Sequence, residues 1–103
     1  MITNQKAVKV RKYLGKKNIK LTLVFKTLSD VNRCKIFWML ATEDRISVSS
    51  AAKVLNISLP LASQHLKILL QNGLLKKEKL GQKVYYELNR DNPVVDPLIK
   101  VVK

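Results

Sequence analysis

Ser63, Gln64, Lys67 and Gln71 carry a hydroxyl, two amides and an ammonium at steps of one, three and four residues. At about 100° per residue, that spacing gathers Gln64, Lys67 and Gln71 on one side of a helix, with Ser63 at its flank. Such groups donate and accept hydrogen bonds, and the lysine adds a positive charge. Their chemistry is recognition. Covalent chemistry has little material: no nucleophile and base stand at a recognisable spacing and no Gly-rich phosphate loop is present, so an enzyme is not expected. The chain has one Cys and one His. They fall on separate expected helices, short of the three or four ligands that a transition metal requires. No metal and no cofactor is expected.

The elements that must position these groups follow from apolar spacing and from punctuation. Residues 58–73 alternate at helical period, with Ala62, Leu66, Leu69, Leu70 and Gly73 opposite the polar set. Ser58 is the expected N-cap, and Pro60 falls in the first turn, where its missing N–H has no partner to lose. Residues 47–55 read as a shorter helix with Val48, Ala51, Ala52 and Leu55 inward, and Asn56 can take the left-handed conformation that stops it. Two helices joined by so short a turn make a helix-turn-helix. After Gly73 the period changes to that of strands, 74–80 and 83–88 around Gly81-Gln82, which predicts a basic hairpin.

Upstream, residues 19–28 repeat Leu21, Val24, Phe25 and Leu28, predicting a core-facing helix. Asp30 is the expected N-cap of a helix over 31–42, whose Cys34, Phe37, Leu40 and Ala41 share a side with Ile36 beside them; Trp38 lies off that stripe. Cys34 is read there as a small buried hydrophobe. A polar helix over 4–13 precedes these elements. Another begins near Asn92-Pro93, with the apolar series Val94, Val95, Leu98, Ile99 and Val102, more than a small monomer can cover.

Charge is the unusual feature of the composition. Twenty Lys and Arg against seven Asp and Glu give +13 over 103 residues, the balance of a nucleic-acid-binding domain. Lys6, Lys9, Arg11, Lys12, Lys16, Lys17 and Lys20 stand without an acid among them, and Lys67, Lys76, Lys77, Lys79 and Lys83 form a second group around Glu78. The N-terminal run reads either as a solvated helix face or as a DNA-contacting arm. The length fits one domain, 1–103. With no long apolar run, no signal peptide and a lone cysteine, a soluble cytoplasmic protein is expected.

A helix offering Ser and Gln outward suits the DNA major groove, where Gln pairs with adenine and Ser donates or accepts. The ordered motifs Phe25-Lys26-Thr27-Leu28-Ser29-Asp30, Arg33, residues 48–55, Ile57-Ser58, Pro60, Ser63-Gln64-His65-Leu66-Lys67, Gly73-Leu74, Gly81 and Val84-Tyr85-Tyr86 resemble the ArsR/SmtB family of winged helix-turn-helix repressors. The resemblance covers about residues 21–90. It implies a mainly α fold of five to six helices with a two-stranded wing. It also implies a homodimer joined by its N- and C-terminal helices, bound to a palindromic operator in double-stranded DNA. The residues expected at DNA are Ser58, Leu59, Pro60, Ser63, Gln64, His65, Lys67 and Gln71, and in the wing Lys76, Lys77, Lys79, Gln82 and Lys83. His65 borders the inward face, and two roles stay open for it: orienting the helix through a hydrogen bond, or touching phosphate or base directly.

Three positions depart from the family pattern. Ile46-Ser47-Val48 stands where many metal-sensing relatives carry Cys-x-Cys, and the last helix offers only Asp91 and Asp96 where others place Asp and His pairs. Leu59 replaces a usual polar residue and leaves apolar contact with thymine as its chemistry. The expected function is a sequence-specific DNA-binding regulator, most simply a dimeric repressor without a metal site. The competing class is a winged-helix protein-interaction module, which would gain nothing from the basic wing.

Overall fold

The computed structural model describes residues 1–16 and 19–102, and Lys17 of the basic N-terminal run lies outside them. In chain order the elements are α1 (Asn4–Gly15), α2 (Ile19–Leu28), α3 (Val31–Thr42), β1 (Ile46–Ser47), α4 (Val48–Leu55), α5 (Leu59–Gln71), β2 (Leu75–Leu80), β3 (Lys83–Leu88) and α6 (Val95–Val102). Side-chain oxygens open four of the helices. Thr3, Asp30, Ser47 and Ser58 accept from the backbone N–H groups of Lys6, Arg33, Ser50 and Leu61, each satisfying a donor that the first helical turn leaves open.

The stops are equally local. Asn56 adopts φ 55°, ψ 49°, and Ile57 N donates back to Ala52 O at 3.0 Å, the bond pattern of a left-handed helix stop. Gly73, at φ 77°, ends α5 in the same way, with Leu74 N donating to Leu69 O at 3.0 Å. Asn89 and Asn92 then both donate through Nδ2 to Gly73 O at 3.0 Å. These bonds tie the end of α5 to the entry of α6.

The core is built on α3, where Ile36, Phe37, Leu40 and Ala41 are buried, and α5 supplies Ala62, Leu66 and Leu69. Ala51, Ala52 and Ala62 are small, so α4 and α5 approach closely. Tyr86 and Leu88 of β3 and Val95 and Ile99 of α6 close the core from the far side. A three-stranded antiparallel sheet runs in the order β1-β3-β2. The hairpin pairs Leu75 with Leu88 at its base and Leu80 with Lys83 at its tip. This architecture is a winged helix-turn-helix.

Three sequence readings change in detail. The wing has a third strand, because Ile46 and Ser47 pair with Tyr86 and Tyr85 before the helix begins at Val48; two residues are too few to show a period-2 pattern. Of the apolar residues in α2 whose burial is described, Val24 alone enters the core; Leu28 is half-buried, while Leu21 is 43% exposed and Phe25 59%. That helix has apolar residues on every side, and buried Thr27 shares its packed face. Cys34 is half-buried rather than enclosed. It lies at the margin of α3's packed stripe, three residues before the buried Phe37.

Candidate nucleic-acid interface

The rotation of α5 is fixed by the residues it buries. Ala62, Leu66 and Leu69 are each 0% exposed, so Ser63, Gln64, Lys67 and Gln71 are carried outward, and all four are exposed. Ser58, Leu59 and Pro60 are exposed at the open end of the same helix. Together they form a ridge with an apolar lip, a hydroxyl and amide centre and a basic far end. An exposed amide of this kind can meet an adenine edge bidentately, and the helix N-terminus favours an anion.

His65 does not belong to that ridge. It is 7% exposed, and its Nδ1 lies 3.3 Å from Arg33 Nη1 and 3.8 Å from Asp30 Oδ1. Its ring is turned toward those two side chains and away from solvent. The physical reason is its position on the turn of α5 that packs toward the start of α3.

In the wing, the pairing register divides the lysines between two faces. Lys77 and Lys79 lie opposite Tyr86 and Val84, on the face that continues from buried Leu75; Lys76 lies opposite Glu87 on the other. Lys76 Nζ donates to Asp91 Oδ2, and this hydrogen bond holds its ammonium above the ordinary range. Lys77, Lys79 and Lys83 form no ion pair among the described residues and are exposed, as is Gln82 at the turn. Positive charge is thus concentrated on the outer half of the hairpin. Acids gather at its base, where Glu43, Asp44, Glu87 and Asp91 line a cavity of about 360 Å³ with Lys76 and Arg90.

Arg45 and Arg33 were given no role by spacing alone. The Arg45 guanidinium sits 5.2 Å from the centroid of the Tyr85 ring, which fastens the approach to β1 onto β3. Arg33 joins α3 to α5. Both contacts bridge residues far apart in sequence, and no local pattern announces them.

Among the described residues no group of three or more His, Cys, Asp and Glu could hold a metal ion. Nor is any helix among them long and apolar enough to cross a membrane.

Comparison with known proteins agrees with the geometry. A family model described as a helix-turn-helix domain matches residues 28–78, from the end of α2 into β2. The chain is 36% identical over 92 residues to the cadmium resistance transcriptional regulatory protein CadC homolog of Staphylococcus aureus, covering 88% of this chain and 76% of that protein. To the arsenic resistance transcriptional regulator ArsR1 of Pseudomonas putida it is 36% identical over 81 residues, covering 78% of this chain and 63% of that protein. Among solved structures, reduced HlyU from Vibrio cholerae superposes with a TM-score of 0.77 at 27% identity, covering 88% of this chain and 93% of that one. Sequence, fold and the exposed second helix lead to one assignment: the chain belongs to the ArsR/SmtB family of winged helix-turn-helix transcriptional regulators.

Proposed function

We propose that the protein acts in the cytoplasm as a dimeric repressor, reading a palindromic operator in double-stranded DNA through α5 and following the flanking backbone with its wing. The observation that carries this reading is the polar ridge of α5 set opposite Ala62, Leu66 and Leu69, which are wholly buried. Gln64 and Ser63 read base edges, Leu59 and Pro60 meet thymine methyl groups, and Lys67 and Gln71 reach phosphates or the groove edge. Ser58 and the open N–H groups behind it favour a phosphate. Lys77, Lys79, Lys83 and Gln82 follow the backbone, with a smaller share from Lys76 because Asp91 already engages it.

The dimer draws on apolar surface that one chain leaves open. Helix α1 buries no residue, Val8 and Leu14 on it are 45% and 61% exposed, and Val101 of α6 is 80% exposed. Bound at a promoter, such a dimer excludes the transcription machinery, which is repression in its simplest form. The relatives named for cadmium and arsenic resistance suggest a metal signal, but Ile46-Ser47-Val48 supplies no thiol here. We read this chain as a repressor without a metal site.

The test is to select bound duplexes from a random pool and then measure Ser63→Ala, Gln64→Ala and Lys67→Ala on the selected operator and a scrambled duplex at two salt concentrations. The first two should lose about 1–3 kcal/mol on the operator alone, whereas Lys67→Ala should weaken both duplexes. Equal weakening of both duplexes by Gln64→Ala would overturn base readout and favour a protein-docking module.

A further inference from the structure

Arg33 occupies the third position of α3, where a cation is the wrong charge for the positive end of the helix. Its side chain is accounted for by what it reaches outside α3. Nε donates to Thr27 O at 2.7 Å, closing one of the carbonyls left open at the end of α2. Nη1 lies 3.3 Å from His65 Nδ1 on α5. A guanidinium has no acceptor, so this contact is a hydrogen bond from Arg33 in the tautomer that leaves Nδ1 free to accept. The Asp30 carboxylate completes the arrangement, accepting from Arg33 N at 3.0 Å and standing 3.8 Å from the imidazole.

This contact differs in kind from the rest of the α3–α5 packing. Ala62, Leu66 and Leu69 are apolar and fully buried; they set how near the helices lie but resist rotation weakly, because dispersion contacts have no preferred direction. A hydrogen bond does have one. His65 follows Gln64 directly, so the roll of α5 that the bond fixes is also the roll that aims Ser63 and Gln64. With side-chain tips about 6 Å from the helix axis, a roll of about 10° displaces them by about 1 Å, enough to spoil a bidentate contact.

We propose that Arg33 is a positioning residue for sequence readout, acting through His65 to fix the roll of the recognition helix. The proposal rests on α5 being the sequence-reading helix. Three variants test it on the selected operator and a scrambled duplex, with thermal midpoints taken in parallel. Arg33→Lys keeps the cation but loses the fork that reaches Thr27 O and His65 together. His65→Leu removes the acceptor at similar volume, and His65→Asn restores an acceptor oxygen near the place of Nδ1.

Arg33→Lys and His65→Leu should each lower operator affinity about tenfold, while scrambled-duplex affinity stays within about twofold of the parent. His65→Asn should recover most of the loss, and the double variant Arg33→Lys/His65→Leu should lose no more than either single one. A parallel fall on both duplexes, unchanged operator affinity in folded variants, or no recovery by Asn would each overturn the proposal. If His65→Leu does not fold, Arg33→Lys and His65→Asn carry the same comparison. Gln64→Ala measured beside them separates the two failures: loss of its operator selectivity sinks the reading of α5, whereas selectivity there without any in Arg33→Lys sinks the positioning role alone.

Discussion

Single side chains in the wing differ in what they have left to offer a phosphate. Lys76 is engaged by Asp91, whereas Lys77 and Lys79 form no ion pair among the described residues. Lys79→Ala and Lys77→Ala should therefore each weaken binding to every duplex and reduce the salt slope by about one, and Lys76→Ala should do so by less. Titrations of the three variants over a salt series check this order, and an equal loss for Lys76→Ala would contradict it. Asn56 supplies a stability counterpart. At φ 55°, Asn56→Ala should cost about 1 kcal/mol in denaturant unfolding at an unchanged m-value, and Asn56→Gly should not. Asn56, Asp30, Ser58 and Pro60 were legible in the sequence because a cap or stop acts within three or four residues of itself. The burial of His65 against Arg33 was not, since that contact joins positions 33 and 65 and only the completed fold brings them together.

Among the elements, α3 depends on its cap in a way that responds to acid. The backbone N–H of Arg33, bonded to the carboxylate, holds Asp30 below its ordinary range; burial opposes this, and the charges of His65 and Arg33 add to the lowering. A folded-state pKa below the unfolded one contributes stability that is present above the unfolded value, about 3.9, and is lost as pH falls through the folded one. The thermal midpoints of the parent and Asp30→Asn should differ most near neutrality and converge below about pH 4. Divergence on acidification would refute the sign. The boundaries of α3, α4 and α5 were legible because caps and apolar period agree there, whereas α6 begins at Val95 and not at Asn92-Pro93. The packed face of α2 was not legible, since Leu21, Leu23, Val24, Phe25 and Leu28 point all round it and only neighbouring elements decide which are covered. Strand β1 escaped for a related reason: Ile46 and Ser47 become a strand only by meeting Tyr86 and Tyr85.

At the scale of the molecule, the chain is elongated, 59 × 25 × 23 Å with a radius of gyration of 17.2 Å, against about 13 Å for a compact domain of this length. A helix that buries nothing and a row of open apolar residues, Val8, Leu14, Leu21, Leu23 and Phe25, supply the apolar surface on which the proposed dimer draws. Sedimentation at micromolar concentration should report a dimer, and a monomer alone would contradict the assembly proposed above. The selected operator should then be a pseudo-palindrome with half-sites centred about one helical turn, roughly 10 bp, apart. The single tryptophan offers a view of the same region. Trp38, 49% exposed on α3, donates its indole N–H to Val102 O in the last turn of α6 at 3.0 Å. Its fluorescence is therefore an intrinsic optical reporter of that clasp: emission should shift to the red when α6 lets go and to the blue when a second subunit shields the ring, without any label being attached.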